Sequence, residues 1–411
     1  MQLSNNKKKI INDPVYGFVK IPSDLIYDLI EHPYFQRLRR IKQLGLSNLV
    51  YPGALHTRFQ HVIGAMSLTV QAIEVLRGKE IEISDEEKEA VCAAVLLHDM
   101  GHGPFSHALE NTLIKGVNHE SISLAFMNLL NKEFNGKLDL CIRIFKNEYK
   151  KKFLHQLISS QLDMDRLDYL RRDSFYTGVQ EGVIGHDRII NMLNVCDDEV
   201  VIDEKGIYSI EKFLVARRLM YWQVYLHKTV IAAETLLIRI FERASQLAEK
   251  KVELFASPSF HYFLYNKPNE KQFLLNDEVL KLYSDLDDFD ITTSIKVWCN
   301  HSDKILSELC KMIRDRKFPK IEIQSQQFDE SLIFDMIKKV AIQKQISIEE
   351  AKYFVYSDSV KNEAYSLDGF NIKVLFKNGK TSDIADASDQ YNISALSKTV
   401  TKYFLCYPKK L

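Results

Sequence analysis

Six of the twelve histidines in this 411-residue chain, His56, His61, His98, His102, His107 and His119, fall between residues 56 and 119, where even spacing would put about two. Beside them stand Asp99, Glu110 and, further along, Asp163, Asp165, Asp168 and Asp173. Neutral imidazole with carboxylate is a borderline-to-hard ligand set suited to Mn, Fe, Zn, Co or Mg. His98 and Asp99 are adjacent, so on a helix they point about 100° apart and grip one ion only where the helix end opens onto a cavity. Gly101-His102-Gly103-Pro104 supplies such an opening. His61, in the run FQHVIGAM, and Asp165, in LDMDRLDYL, arriving from two other helices, complete a His-His-Asp-Asp set. Four protein ligands leave positions open on a six-coordinate ion for water and a phosphate oxygen. A lone histidine is more often a hydrogen-bonded core or surface residue, but six in one window beside an His-Asp dipeptide indicate a site.

The elements that must position these residues are mainly helical. Gly 15 and Pro 9 are about half their usual combined share, so turns are few for this length. Ser84-Asp85-Glu86-Glu87 is a capping box opening the periodic run Ala90, Val91, Ala94, Val95 that ends at His98-Asp99. A helical pattern without Gly or Pro runs from about Glu211 to about Lys250, preceded by a short hairpin over Glu199–Ile210 turning at Lys205-Gly206. Near the C-terminus, KYFVYSD, FNIKVLF and KYFLCY are β-rich, Asn378-Gly379 signals a type I′ hairpin, and Ile393–Val400 reads as helix. The expected organisation is a helical domain over 1–345 followed by a small α+β lobe over 346–411.

Composition excludes several classes. Lys+Arg and Asp+Glu are both 55, giving a net charge of zero, which argues against a chain-wide basic surface for nucleic acid. No run approaches the roughly 18 to 20 consecutive apolar residues of a membrane span, and MQLSNNKKKII has no signal-peptide core. Cys92, Cys141, Cys196, Cys299, Cys310 and Cys406 form no CxxC pair, as expected of reduced thiols. The expected location is the cytoplasm.

The motifs HTRFQH (56–61), LLHDMGHGPFSH (96–107) and DMDRLDYLRRD (163–173), with KIINDPVYG from Lys9, HPYFQRLRRIKQLG (32–45) and YLHK (225–228), resemble the HD-domain deoxynucleoside triphosphate triphosphohydrolases over at least the first ~250 residues. The likeness is to members without the SAM domain of the mammalian form. It implies an HD helical bundle that hydrolyses the bond between the α-phosphate and the nucleoside 5′ oxygen of a dNTP, releasing inorganic triphosphate. By the same resemblance the metal ligands are His61, His98, Asp99 and Asp165, holding a divalent ion (Mn, Mg, Fe, Co or Ni). His102 and His107 would contact the α-phosphate and leaving oxygen, with Glu110, often Asp in the family, and His119 orienting and relaying.

Arg58 and Arg166, the latter often Lys in relatives, match phosphate contacts. Gln43 and Asp173 match residues that bond the 3′-hydroxyl, Tyr169 and Tyr225 match tyrosines against the sugar, and Leu44 completes the substrate set. Lys9, Asn12, Glu31 (replacing an aspartate), Gln36 and Arg39 fall where relatives bind an activating guanine nucleotide between subunits. Arg188, Lys205, His227 and Lys228 resemble a second, dNTP activator site, although Asp203 lies near a position that is basic in the mammalian enzyme. The implied partners are a dNTP substrate, a GTP or dNTP activator and further copies of the chain, as dimer or tetramer. Two rival classes stay open: another HD phosphohydrolase, such as a nucleoside monophosphatase or nucleotide phosphodiesterase, and a non-catalytic nucleotide sensor or nucleic-acid-binding module.

Overall fold

The computed structural model describes residues 9–105, 109, 116–362, 365, 371–389 and 398–410. Ile10–Asp13 (β1) and Gly17–Lys20 (β2) pair as an antiparallel hairpin whose turn is held by Asp13 Oδ1, which accepts from the backbone N–H groups of Val15 and Tyr16. Helices Asp24–Glu31 (α1), Arg58–Gly78 (α2), Asp85–Leu97 (α3), His119–Glu133 (α4) and Met164–Thr177 (α5) follow. α2 packs against both α3 and α5. Among the described residues it is the one helix long and apolar enough, by composition, to cross a membrane, and 67% of that stretch is buried inside the protein. Those are the properties of a central core helix, with Gln71 and Glu74 left exposed on its outer side.

The box expected at the start of α3 is present. Ser84 Oγ accepts from Glu87 N at 3.1 Å and Glu87 Oε2 accepts from Ser84 N at 2.8 Å. The helix ends at Leu97 with His98 as its C-cap, so the His-Asp dipeptide does stand at a helix end.

Two expectations about the middle of the chain need correction. The hairpin is Leu193–Cys196 (β3) against Glu199–Asp203 (β4), turned by Asp197 and Asp198 at φ 51° and 62° rather than by Lys205-Gly206. Aspartate tolerates that left-handed region better than most residues, and Glu204–Gly206 is instead a 3₁₀ turn leading into helix Ile207–Met220 (α6). Nor is the segment 211–250 one continuous helix. A π-turn over Tyr221–Tyr225 follows α6, and the chain breaks at His227, whose extended backbone and Nδ1 cap helix Lys228–Glu249 (α7) by accepting from Thr229 N at 3.1 Å. A histidine acting as N-cap terminates a helix without Gly or Pro, which a search for those two residues does not detect.

Helices Asp277–Ser284 (α8), Asp288–Trp298 (α9) and Lys304–Arg314 (α10) pack beyond α7, followed by strand Lys320–Gln324 (β5) and helix Glu330–Lys344 (α11). The remaining strands are Tyr356–Asn362 (β6), Lys373–Leu375 (β7), Thr381–Asp383 (β8) and Val400–Tyr407 (β9). They take partners from earlier in the chain: the sheet orders are β3-β4-β7-β8, with β4 parallel to β7, and β5-β9-β6. Lys352 to Phe354 turn out of a short helix before β6 begins. At Asn378-Gly379 only Gly379 has positive φ, +80°, and Phe376 N bonds Lys380 O, so the loop has three residues and is not type I′. Of the helix expected over Ile393–Val400, residues 393–397 lie outside the described residues and Val400 opens β9.

Ser84→Ala removes the cap of α3, on which His98 and Asp99 ride, and is expected to cost about 1 kcal/mol, read as a lower urea midpoint at unchanged slope.

Candidate functional site

The site is built on the contact between α2 and α5. Gly64 lets them approach: a Cβ there would stand 2.0 Å from Asp168 Oδ1 and 2.1 Å from Arg172 Nη2. That closeness seats the wholly buried Asp168 beside His61, with Oδ2 2.7 Å from His61 Nδ1. Arg172, also fully buried, donates through Nε and Nη2 to Asp168 at 2.9 Å each, and through Nη1 to Asp13 Oδ2 at 2.7 Å. A carboxylate on Nδ1 fixes the tautomer of His61 and turns Nε2 toward the cluster.

Around that nitrogen the expected ligands converge. Donor atoms of His61, His98 and Asp99 all lie within 4.8 Å of one another. Asp165 Oδ1 is 2.9 Å from His61 Nε2 and 3.5 Å from His98 Nε2, while Asp99 Oδ1 is 3.3 Å from His98 Nε2. Val95 O, 2.6 Å from His98 Nδ1, sets that ring's outer nitrogen as donor. Among the described residues, the Nε2 atoms of His61 and His98 are buried without a hydrogen bond despite these near carboxylates. Two orphaned ring nitrogens among carboxylate oxygens fit a divalent ion, which would satisfy all of them at once. His61 and Asp99 are sealed from solvent, whereas the Asp165 side chain is 26% exposed and marks the open side.

Protonation follows from this crowding. Burial alone would discharge His61, but Asp165 and Asp168 on either side of the ring carry its pKa to about 10. Burial likewise opposes charge on His98, and Asp99 and Asp165 raise it to about 9. Against the effect of burial, Arg58 and His98 hold Asp99 well below the carboxylate range, and the two histidines do the same for Asp165. Burial, reinforced by Arg58, pushes His102 well down and keeps it neutral.

His102 lies next to the cluster, its Nε2 3.3 Å from Asp99 Oδ1 and its ring stacked on His119 at 3.9 Å. Its turn needs Gly101, where a Cβ would meet His119 O at 1.9 Å. His107 and Glu110 lie outside the described residues. Arg58 is buried and paired with Asp99 (Nη1 to Oδ2, 2.5 Å), and Arg166 Nε donates to Ser160 O at 2.6 Å with Asp163 Oδ2 at 3.2 Å. On α5, Asp173 accepts from Tyr225 OH at 2.8 Å and lies 2.7 Å from His56 Nε2. Tyr169 meets Tyr225 edge to face at 6.1 Å, and both the Tyr169 hydroxyl and Gln43 Oε1 are buried without partners among the described residues. Leu44 packs against the core.

His56 and Asp168 belong to the cluster the sequence shows but carry no assigned role there, and with Arg172, which the sequence does not single out, they lie behind the candidate ligands. Arg217 is not singled out either; it is buried on α6, its Nε and Nη1 without a partner among the described residues and its charge acting on Tyr169. Their signal was weak: Arg217 stands four residues before Tyr221 and eight before Tyr225, the helical spacing of one face, but its unpaired state is visible only in three dimensions.

The first proposed activator set is partly gathered. A cavity of about 250 Å³ is lined by Asn12, Asp13, Arg39, Thr57, Phe59 and Gln60. Arg39 stacks 3.5 Å over Phe59 and donates to Gln36 Oε1 at 2.8 Å, and Gln36 donates to Ile30 O at 2.7 Å. Lys9 instead bonds the Tyr27 hydroxyl, and Glu31 ends α1; neither lines the cavity. Arg188 donates to Lys205 O at 2.9 Å, while His227 and Lys228 form the start of α7. Asp203 pairs with Lys79 at 2.7 Å.

Residues 58–173 match the HD domain family, and residues 184–258 match the HD associated region. The uncharacterized protein YwfO of Bacillus subtilis (strain 168) is 33% identical over 99% of the chain and 93% of its own length. A deoxynucleoside triphosphate triphosphohydrolase SAMHD1 homolog of Dictyostelium discoideum is 32% identical over 59% of the chain, and the human deoxynucleoside triphosphate triphosphohydrolase SAMHD1 is 28% identical over 61%. The matched part spans about half of each, 51% and 46%. The crystal structure of a phosphohydrolase from Bacteroides thetaiotaomicron VPI-5482 is 56% identical, with TM-score 0.95 over 98% of this chain and 100% of that one.

The raised histidines give a signed pH dependence. Because the folded pKa values of about 10 and 9 exceed the ordinary 6.5, their contribution to stability is full below pH 6.5 and is lost as pH rises through 9 to 10. An ion must displace the same protons. Chelator-stripped protein is therefore expected to lose melting temperature from pH 6.5 to 9.5, while the increment from added Mn²⁺ grows over that window. A flat increment would show that these imidazoles are not the ligands.

Proposed function

The chain belongs to the HD-domain phosphohydrolase family, and on that premise we propose that it hydrolyses deoxynucleoside triphosphates to deoxynucleoside and inorganic triphosphate. The observation that carries this reading is Arg217, a buried guanidinium whose Nε and Nη1 have no partner among the described residues, beside the Tyr169–Tyr225 pair. Burying such a group unpaired costs several kcal/mol, roughly, which a polyphosphate oxygen would recover.

A divalent ion bound by His61, His98, Asp99 and Asp165 would lower the pKa of a bound water and polarise a phosphate oxygen. The remaining work falls to the chain. Arg217, Arg58 and Arg166 supply fixed positive charge for the phosphates. His102, kept neutral and braced by His119, can hold or pass a proton beside the reacting phosphorus. Asp173 and Gln43 offer acceptors to the sugar 3′-hydroxyl, and Asp173 is already oriented by His56 and Tyr225. The Tyr225 ring, fixed by that bond, would close on C2′ and exclude a 2′-hydroxyl. The cavity holding Asn12 and Arg39 is the proposed activator site, and association of copies would complete it.

One observation favours a smaller substrate. Arg58 is spent on Asp99 and Arg166 on Asp163 and Ser160, so neither is aimed at a ligand in the unliganded chain. A nucleoside monophosphatase or nucleotide phosphodiesterase is the second reading.

Anion-exchange analysis of products from each dNTP with Mn²⁺ or Mg²⁺, with and without GTP or a second dNTP, decides between them. Triphosphate plus deoxynucleoside is expected; monophosphate plus pyrophosphate, or turnover of monophosphates alone, would replace the proposal with the second reading. His98→Ala and Asp165→Ala are expected to abolish turnover together with bound metal. Tyr225→Ala is expected to keep the metal and to narrow the preference for dNTP over NTP by about tenfold or more, read as a ratio of kcat/KM values.

A further inference from the structure

The turn from Gly101 to Phe105 sets His102 beside the cluster, and a second turn, carrying Gln43 and Leu44, lies against it. They touch at Gly45, where a Cβ would lie 3.7 Å from Phe105 O. What ties them together is Asp288, the buried first residue of α9. Its Oδ2 accepts from Lys42 N at 3.0 Å and its Oδ1 from Phe105 N at 2.8 Å. An ionised carboxylate only accepts and has two oxygens, so it can bridge two backbone donors that could not bond each other. Phe105 is held at φ +51°, a conformation disfavoured for a residue with a Cβ, which makes its anchor more important.

The neighbours of Asp288 grip the same turns. Leu286 O accepts from Arg37 Nε at 2.6 Å, and the other arms of that buried guanidinium donate to Met100 O at 3.1 Å and His102 O at 2.8 Å. Tyr283 OH donates to Gly101 O at 2.9 Å, and Asp287 Oδ2 accepts from Arg40 Nε at 2.5 Å. The gripping residues Arg37, Arg40, Tyr283, Leu286, Asp287 and Asp288 all lie outside the segments 58–173 and 184–258 that match the family, while the turn they hold lies inside the first.

We propose that Asp288 is a positioning residue of the hydrolytic site, setting the spacing between the Gln43–Leu44 turn and the His102 turn. The proposal rests on the dNTP reading only for what Gln43 and Leu44 contact. In Asp288→Asn the carboxamide can accept from one backbone N–H but sets its own donor against the other. The turns would part, and displacement near 1 Å at a reacting group costs up to about 100-fold in rate.

The test uses the full chain loaded with Mn²⁺, assayed on dGTP and on bis(p-nitrophenyl) phosphate, a diester that needs the ion but neither Gln43 nor Leu44. Asp288→Asn is expected to keep its metal, to lose about tenfold or more in kcat on both substrates, and to gain KM on dGTP alone. Asp288→Glu retains both acceptors and is expected to recover part of kcat. Asp290→Ala, which removes the capping-box acceptor at the same helix start and touches neither turn, is expected to lower Tm without changing kcat or KM. A wild-type chain that splits the diester but no dNTP removes the dNTP reading, and Asp288 is then judged on diester kcat. A folded, metal-loaded Asp288→Asn with wild-type kcat and KM overturns the proposal, as does a loss that added metal restores. Should the Asn variant not fold, unchanged kinetics in the Glu variant overturn it equally.

Discussion

Asp168 is wholly buried and serves two cationic partners at once, the His61 ring and the Arg172 guanidinium, and Arg172 in turn reaches Asp13 in the first hairpin. Breaking such a relay at any member leaves an uncompensated buried charge, at a cost of about 3 to 5 kcal/mol. The relay fixes the α2 to α5 approach that Gly64 permits, and it aims His61 Nε2 at Asp165, three residues before Asp168. Because Asp13 also closes the β1–β2 turn, Asn12 and its cavity are tied to the same helix that carries Asp165 and Asp173. The His-Asp cluster, the Asp173–Tyr225 wall and the N-terminal cavity thus share one support.

The electrostatics of the centre are balanced between opposites. Desolvation disfavours every charge there, yet the close pairing of carboxylates with imidazoles favours all of them, raising the pKa of His61 and His98 and lowering that of Asp99 and Asp165. His102 is the exception. It faces Arg58 from within the same buried region and remains neutral. Environment, rather than residue type, therefore separates His61 and His98, pushed up, from His102, pushed down.

Breaks in regular structure place the rest. The end of α3 at Leu97 frees His98 and Asp99 from helical divergence, and the π-turn before α7 brings Tyr225 over Asp173. Single π-turns inside helices frequently mark functional positions, because the extra residue re-aims the side chains of one turn. The 283–288 junction then fastens the His102 turn from the far side, so the site depends on helices well beyond the HD segment.

Residue type and local order by themselves determined which residues gather as candidate ligands and that two of them stand at a helix end: the His-Asp dipeptide after a capped apolar helix, the clustered histidines and the ordered motifs are all short-range signals. The predominance of helix was legible for the same reason, since periodicity and scarce Gly and Pro act locally. Tertiary structure alone decided which charges are paired. Arg58 and Arg166 are engaged while Arg217 is left unpartnered, and Asp168 and Asp288, ordinary acidic residues in the sequence, become a relay and a bridge. It also decided where the late strands go, as β7 and β9 pair with strands far earlier in the chain. Pairing, burial and strand partnership are properties of distances between remote segments, and no local spacing encodes them.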